Sequence, residues 1–214
     1  MNFTFGIITD GTNDDNICKI IDSIELQNIE NKEIIIVGNS KIIVDKNIEF
    51  DETIKSKWIT RKKNIITENA TYDNIVYLHD YIEFCVGWYE GFLVFGDDFS
   101  VCVNVILNSD GSRFRDWCIH NPSQLGNRYA GIIPYNEMPS SIDMYISGSY
   151  WVAKKHIMQE IKLDESLCWG QSEDIVWSNQ ISKKYDFKIN TNSAVRLLKY
   201  KELVIKDYSK GDYF

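Results

Sequence analysis

The sequence has no long hydrophobic run and few residues of the kind that mark a linker. Its three prolines and twelve glycines are scattered over 214 residues, so no change of composition divides the chain. No apolar stretch approaches the roughly 20 residues that a membrane-spanning helix needs. Residues 1–6 also lack the basic start and apolar run of a secretory signal. We therefore expect a soluble, cytoplasmic protein without a transmembrane segment.

The sequence is also poor in patterns that hold structural metals, disulfides or nucleic acids. Its five cysteines are odd in number and far apart, and no two of them form a CxxC pair. This spacing indicates neither a zinc knuckle nor a disulfide framework, and we expect reduced, mostly buried thiols. The net charge of −8 argues against a nucleic-acid partner, which usually requires a basic face.

One short segment is basic within this acidic chain. It has two interpretations, a solvated face or a local site for a small ligand that contains phosphate. Its basic residues are Lys55, Lys57, Arg61, Lys62 and Lys63.

The first half of the chain alternates between two hydrophobic periods. With 44% hydrophobic residues the chain can bury one sizeable core. Short apolar runs alternate with amphipathic stretches, which predicts strand, helix, strand, helix, strand. The predicted elements are a strand at 3–9, a helix capped by Asp14 or Asp15 with a stripe of Ile17, Ile20, Ile21 and Ile24, a strand at 33–37, a helix at 61–70 and a strand at 74–78. This order implies a parallel sheet that binds ligands at the carboxyl ends of its strands.

The second half is less regular. Residues 108–143 form a long, turn-rich stretch, and the aromatic side chains Trp117, Tyr129 and Tyr135 favour a functional loop. The other predicted elements are a helix at 88–95, strands at 99–107 and 144–153, a helix at 154–161 and a helix that begins near Glu173. The tail from Ser193 has three alternatives, since it could close over a binding site, pack on the sheet or lead into a further domain.

Two polar segments directly follow predicted strands. Thr9, Asp10 and Gly11 lead from the first strand into a helix, where they would hold a nucleotide or form an ordinary capped turn. The GxGxxG and GxxxxGK[ST] patterns do not occur there, so neither a dinucleotide fold nor a P-loop is supported. His79 and Asp80 follow the strand at 74–78. Asp80 would either cap that strand or, with a diphosphate, supply oxygen ligands to Mg²⁺ or Mn²⁺.

Two further segments in the second half combine small, aromatic and acidic residues. Trp169 precedes the adjacent acids Glu173 and Asp174 at a predicted helix start. Acids in a first helical turn are favoured by the helix dipole, but a partly desolvated carboxylate beside a tryptophan is also a competent general base. Gly148 and Ser149 interrupt an apolar strand, which indicates a β-bulge or the close approach of a ligand.

Taken together and in this order, these segments resemble the glycosyltransferases of the GT-A fold, especially those of glycosyltransferase family 2. The resemblance covers roughly residues 3–180 and rests on FGIITDGTNDDNICKIIDSIELQNIENKEIIIVGNS, RKKN with NIVYLHDY, YISGSYWVAKK and WGQSED. It implies one α/β domain over 1–214 with a mostly parallel central sheet between helices. Residues 1–100 would form a Rossmann-like nucleotide-binding half and residues 101–214 an acceptor and catalytic half. Whether this domain is complete or excised from a longer protein stays open.

The resemblance also implies a reaction. A hexose would pass from a nucleotide-diphosphate sugar, by analogy a UDP-sugar, to a hydroxyl of a carbohydrate or other acceptor, assisted by Mn²⁺ or Mg²⁺. Asp174 would be the general base of an inverting transfer with Glu173 beside it, and Asp80 would hold the metal. Lys63 and Asn64 would lie near the diphosphate or ribose. The donor would contact Thr9, Asp10, Gly11, Ser40, Lys63, Asn64, His79, Asp80, Gly148, Ser149 and Trp169.

Two positions depart from the family pattern. The family's metal motif is Asp-x-Asp, whereas residues 79–81 of this chain read His-Asp-Tyr with a single acid. Either His79, Glu83 or His120 supplies a second ligand, or the dependence on a metal is weak. The second strand ends at residues 37–40 in Val-Gly-Asn-Ser rather than in the acids that contact uracil and ribose, so the preferred base is open.

Two other functions stand as alternatives. A binding module that kept the fold but lost catalysis would fit the incomplete metal motif, whereas the intact Glu173-Asp174 pair argues against it. A nucleotidyltransferase usually has a glycine-rich, basic loop after its first strand, and this chain has the acidic TDGTNDD there. The released product distinguishes these three functions. A glycosyltransferase releases a nucleoside diphosphate, a nucleotidyltransferase releases pyrophosphate, and a binding module releases neither. The sugar, the acceptor, inversion versus retention and the oligomeric state are open.

Overall fold

A computed structural model describes residues 1–120 and 130–211 of the chain. Strands and helices alternate through its first half, as the hydrophobic periods predict. The strands are β1 (Phe3–Ile8), β2 (Lys32–Val37), β3 (Lys46–Ile48), β4 (Asn74–His79), β5 (Ile82–Phe84), β6 (Val101–Leu107), β7 (Cys118–Ile119), β8 (Gly131–Ile132), β9 (Met144–Tyr145), β10 (Tyr150–Lys154), β11 (Phe187–Leu197) and β12 (Lys206–Asp207). The helices are α1 (Asp14–Glu25), α2 (Ile59–Asn69), α3 (Trp88–Phe95), α4 (Lys155–Glu160) and α5 (Glu173–Ile181).

Eight strands form a mixed central sheet in the order β3-β2-β1-β4-β10-β6-β11-β5. Its parallel pairings are β3–β2, β2–β1, β1–β4 and β6–β11, and the other three are antiparallel. In the register of this sheet Ile8 pairs with both Val37 and His79, so β1, β2 and β4 end side by side. The polar segments that follow β1 and β4 therefore meet at one edge.

Helices cover both faces of the sheet, which explains why β1, β2 and β4 have nearly continuous apolar sequences. Successive side chains of β4 pack into opposite halves of the core. Tyr77 belongs to a cluster with residues of α2, α4 and α5, and Val76 to a cluster with residues of α1 and α3. Gly6 of β1 lets α2 approach closely, because a Cβ atom at that position would lie 2.3 Å from Cγ2 of Ile66.

The apolar stripe predicted for α1 is confirmed, since Ile17, Ile20 and Ile24 are buried. The predicted cap is wrong. Asn13 is the residue that precedes the helix, and Asp14 lies in its first turn. The carboxylate of Asp14 instead accepts a hydrogen bond from the Ser40 hydroxyl at 2.7 Å, which ties the start of α1 to the loop after β2.

The single strand predicted at 144–153 is also wrong. Its first part, β9, lies in a second sheet with the order β12-β8-β7-β9, whereas its second part, β10, lies in the central sheet between β4 and β6. Residues 146–149 connect the two sheets, and the backbone NH of Ile146 donates to Oγ of Ser178 rather than to a strand. Small residues permit this change of direction because they need little space.

The long stretch at 108–143 contributes β7 and β8 to the second sheet, and Trp117 within it is fully buried. Tyr135 is half-buried and donates its hydroxyl to Asp116 at 2.7 Å. Tyr129 lies outside the described residues. The tail that begins at Ser193 packs on the sheet first, as the last part of β11.

Strands from both predicted halves of the chain share the central sheet, since β10, β6 and β11 lie between β4 and β5. All five cysteine thiols are unpaired; Cys102 and Cys118 are buried and Cys18 is exposed. Among the described residues, no helix is both long and apolar enough to cross a membrane.

Candidate functional site

Two adjoining cavities open at the carboxyl ends of β1 and β4. The larger cavity has a volume of about 650 Å³ and the smaller one about 360 Å³. Four side chains line both of them: His79, Tyr81, Trp169 and Lys201. Because open α/β sheets bind ligands at this edge, the two cavities together form the candidate site.

The inner side of the larger cavity is a network of polar side chains from the ends of β1 and β4. Asp80 is buried, and its Oδ2 accepts hydrogen bonds from the Thr9 hydroxyl at 2.8 Å and from the Asn13 amide at 3.2 Å. Asp10 accepts bonds from the hydroxyl and backbone NH of Thr12 at 2.6 and 3.0 Å, and the hydroxyl bond is the main reason that the pKa of Asp10 is lowered. Sequence analysis therefore found three of these residues, Thr9, Asp10 and Asp80.

The basic segment at 55–63 divides between the cavity and the protein interior. Lys57 and Lys62 line the larger cavity. The ammonium of Lys62 donates to the carbonyl oxygen of Thr9 at 2.6 Å and forms an ion pair with Glu52. Arg61 instead forms ion pairs with Glu68 and Glu165 and is only partly buried, so the segment is part cavity lining and part solvated surface.

Two lysines of the tail complete the wall of the larger cavity. The ammonium groups of Lys199 and Lys201 lie 4.6 and 3.7 Å from the centroid of the Tyr81 ring. Burial lowers the pKa of Lys201 to about 8, and the charges of Lys199 and Arg115 act in the same direction. This part of the chain closes over the candidate site, as one alternative for the tail expected.

The smaller cavity contains the two adjacent acids at the start of α5. Asp174 is oriented by two backbone NH groups, because its Oδ2 accepts from Gly148 at 3.0 Å and its Oδ1 from Ile175 at 2.9 Å. Glu173 is buried, and burial followed by the charge of Asp174 raises its pKa. Gly148 and Ser149 line the same cavity.

The position of Gly148 explains its small size. A Cβ atom there would lie 3.3 Å from Oε1 of Glu173 and 3.4 Å from Oδ2 of Asp174. The segment at 146–149 therefore approaches both carboxylates with its backbone, and neither the predicted β-bulge nor a ligand accounts for this glycine.

Lys63 and Asn64 do not line either cavity, which corrects their predicted position beside the donor. Lys63 is buried, donates to the carbonyl oxygen of Gly148 at 2.6 Å and lies 4.3 Å from the centroid of a Trp151 ring. Asn64 exchanges hydrogen bonds with the backbone of Leu163 at 2.9 and 3.1 Å. Both side chains support the site from within the core.

Gly11 and Ser40 also fall outside the lining of the two cavities. The backbone NH of Gly11 donates to the Thr9 hydroxyl at 3.0 Å, and Ser40 is bound to Asp14. Five basic residues line the cavities without having been predicted as donor contacts, and only the two that belong to the basic segment at 55–63 had a signal in the sequence. The five residues are Lys57, Lys62, Lys199, Lys201 and Arg115.

Among the described residues, Asp80 lacks the companion side chains that a divalent cation held by protein ligands alone would need. In residues 1–120 and 130–211, no group of three or more His, Cys, Asp or Glu side chains is placed to share a metal. Glu83 lines a different cavity with Arg196, and His120 lines neither cavity of the candidate site. His79 remains beside Asp80, and the cavity is lined by four lysines together with the acids Asp10, Glu52 and Asp80, so a dication there would meet charges of both signs.

His79 itself has an unusual environment. Its ring lies 5.2 Å from that of Tyr81, and its backbone NH donates to the carbonyl oxygen of Ser149 at 3.3 Å. Burial, and then the charges of Lys63 and Lys201, lower the pKa of His79 well below its usual value. The imidazole is therefore neutral at physiological pH.

Solved structures of similar fold include complexes with UDP or with a UDP-sugar. The chain superposes on S. aureus TarS in complex with UDP-GlcNAc with a TM-score of 0.65 at 11% identity, covering 94% of this chain and 60% of that one. It superposes on GalNAc-T7 with UDP, GalNAc and Mn²⁺ with a TM-score of 0.63 at 14% identity, covering 94% and 44%. These structures are GT-A glycosyltransferases. This chain has the GT-A fold.

The predicted fold is thereby confirmed, and the GT-A domain covers nearly all of the chain. A longer TarS structure gives a TM-score of 0.61 at 12% identity over 92% of this chain and 36% of that one. The chain thus spans between about a third and three fifths of the length of the structures it matches. No family model and no curated protein sequence matches the chain.

Proposed function

We propose that this protein is a glycosyltransferase that moves a hexose from a UDP-sugar to a hydroxyl of a carbohydrate or other acceptor. One observation carries the proposal: a cavity with two adjacent carboxylates, Glu173 and Asp174, continues into a larger cavity lined by lysines. Lysines suit a diphosphate and a desolvated carboxylate suits proton abstraction, so the two halves of the reaction find matching chemistry side by side.

The larger cavity would bind the nucleotide. Thr9, Asp10 and Asn13 present hydroxyl, carboxylate and amide groups that can bind a ribose or a base. Trp169 is 55% exposed and borders both cavities, so its ring is available to a sugar or base. It would therefore lie between the nucleotide and the reacting centre.

The smaller cavity would bind the hexose and the acceptor. The acceptor oxygen would form a bond to the anomeric carbon, while the bond from that carbon to the β-phosphate oxygen breaks and leaves its electron pair on the phosphate. The acceptor proton would pass to Asp174, whose two backbone hydrogen bonds fix the direction of its carboxylate. Attack opposite to the leaving group inverts the anomeric centre.

Donor binding and turnover test this function separately. Calorimetric titration of UDP measures the first, and release of UDP from a panel of UDP-hexoses with sugar acceptors measures the second. We expect micromolar UDP binding and acceptor-dependent UDP release. Binding without release with any acceptor would support the binding module instead, and release of pyrophosphate would support a nucleotidyltransferase.

Replacing the general base should separate chemistry from binding. In Asp174→Asn we expect the transfer rate to fall by about 10² to 10⁴-fold with UDP affinity unchanged, because general-base catalysis contributes that much. Asp164→Asn is the matched control, since Asp164 is exposed and accepts its hydrogen bond from Ser166 outside both cavities. Normal turnover in Asp174→Asn would refute the assignment of the base.

A further inference from the structure

The ring of Tyr81 is the meeting point of two lysine side chains. It directly follows Asp80, the single acid of residues 79–81, and it lines both cavities. The ammonium of Lys201 lies 3.7 Å and that of Lys199 4.6 Å from its centroid. A tyrosine ring attracts cations through its electron-rich face. The chain therefore places two positive charges against the residue that follows Asp80, the acid that the resemblance assigns to a metal ion.

The backbone of Lys201 is fixed more firmly than that of an ordinary surface lysine. Its NH donates to Oδ1 of Asn108 at 2.8 Å, and Nδ2 of Asn108 donates back to its carbonyl oxygen at 2.6 Å. Asn108 is buried at the end of β6. β11 ends at Leu197, two residues before Lys199. The backbone NH of Leu198 donates to the carbonyl oxygen of Tyr81 at 2.9 Å. These hydrogen bonds thus hold the backbone of the lysine pair beside the ends of β6 and β11.

The two charges need an anion to offset them. Within residues 1–120 and 130–211 both ammonium groups contact the face of the Tyr81 ring rather than a carboxylate. The low pKa of Lys201 reflects burial and the repulsion by Lys199 and Arg115, which the charge of Asp80 offsets only in part. An anionic ligand between the lysines would remove that repulsion.

We propose that Lys201, assisted by Lys199, binds the diphosphate of the donor and stabilises the charge of the leaving phosphate in place of a divalent cation. The inference rests on the proposed function, because it names the groups that act on its leaving group. Lys201 lines both cavities and so reaches the junction where the bond to the sugar breaks, whereas Lys199 lines only the larger one. Charge development at that junction is what a fixed ammonium stabilises.

The test compares UDP with UMP, which lacks the β-phosphate, in buffer that contains EDTA. We expect the wild-type protein to bind UDP in EDTA, with a dissociation constant that Mn²⁺ changes by less than about threefold. In Lys201→Gln we expect UDP binding to weaken by about tenfold and UMP binding to change little, since a hydrogen bond to a charged group is lost only for UDP. Lys199→Gln should show a smaller loss.

Lys183→Gln is the matched control, because Lys183 is exposed after α5 and lines neither cavity. Circular dichroism would establish that each variant is folded. UDP binding that depends on Mn²⁺ would overturn the lysine proposal while supporting the donor assignment, as would Lys201→Gln with wild-type affinity for UDP. A protein that binds UDP under neither condition would overturn the proposed function and this inference with it.

Discussion

Lys63 is a cation buried next to the two acids of the smaller cavity. Its side chain is 1% exposed, and its ammonium group donates to the carbonyl oxygen of Gly148. Burial lowers its pKa from 10.5 to about 8, although the charges of Glu173 and Asp174 counteract that shift. The protein therefore holds a charge at neutral pH that its own interior disfavours, which links its stability to pH.

The sign of this linkage gives a prediction. Between pH 8 and 10.5 the unfolded chain binds the Lys63 proton more tightly than the native protein does, so raising the pH favours the native state. From pH 7.5 to 9.5 we expect the free energy of unfolding of the wild type to gain about 2 kcal/mol relative to Lys63→Met. Urea titrations at both pH values measure it. Parallel pH profiles for the two proteins would contradict the prediction.

The predictability of single residues depended on their distance from a strand end. Thr9, Asp10 and Asp80 directly follow β1 and β4, so strand prediction alone placed them in the cavity. The sequence could not show in this way that Lys62 lines the cavity and that Lys63 does not. Adjacent residues point about 100° apart on a helix, and only the packing of α2 on the sheet decides which one faces the cavity.

At the scale of elements, residues 167–172, which directly precede α5, contribute Trp169 to the lining of both cavities. This segment lies against the start of α2, where the Thr60 hydroxyl donates to the carbonyl oxygen of Leu167 at 2.7 Å. The backbone NH of Trp169 donates to the carbonyl oxygen of Lys57 at 3.1 Å, and the Lys57 ammonium lies 4.9 Å from the centroid of the Trp169 ring. These contacts hold an exposed indole in a defined place.

That placement predicts an optical signal for nucleotide binding. The buried tryptophans are shielded from a ligand, and they are Trp88, Trp117, Trp151 and Trp177. We expect UDP to change the intrinsic fluorescence, and we expect Trp169→Phe to lose most of that change, because Trp169 lines both cavities. Trp58→Phe is the control, since its indole NH is occupied by the carbonyl oxygen of Glu165 at 2.7 Å. A full response in Trp169→Phe would place the nucleotide elsewhere.

Elements that pair with distant parts of the chain were the ones that sequence analysis got wrong or missed. The run at 144–153 has the composition of one strand, yet β9 and β10 join different sheets because their partners, β7 and β4, lie far away in sequence. β11 was not predicted either, and its pairing with β6 is what brings the tail lysines to the cavity. Hydrophobic period reports local geometry and contains no information on such partners.

At the scale of the whole molecule, an acidic protein has a candidate site rich in lysine, although Asp10, Glu52 and Asp80 line it as well. The net charge is −8, whereas four lysines line the larger cavity. Repulsion from the distant acids acts through solvent and is screened over about 10 Å at 0.1 M salt, but the lysines act at contact distance. Binding of a diphosphate should therefore be decided by the local charges, and its dependence on salt should report them.

Ligand binding should also stabilise the whole fold. The larger cavity lies between the ends of β1 and β4, so a bound nucleotide contacts segments that unfold together with the central sheet. At 100 times its dissociation constant, UDP should add about 2.7 kcal/mol and raise Tm by roughly 5–10 °C for a domain of this size. At the same UDP concentration in 1 M NaCl we expect a smaller rise, because salt weakens the attraction between the lysines and the diphosphate.

Thermal scans with and without UDP at both salt concentrations measure this difference, so the effect of salt on the free protein cancels. Uridine provides the control for contacts that involve no phosphate, and its smaller rise should be nearly independent of salt. A UDP-induced rise of equal size at 0.1 and 1 M NaCl would mean that the lysines contribute little to binding. The affinity would then have to come from the hydrogen-bonding groups of Thr9, Asp10 and Asn13 and from the exposed ring of Trp169.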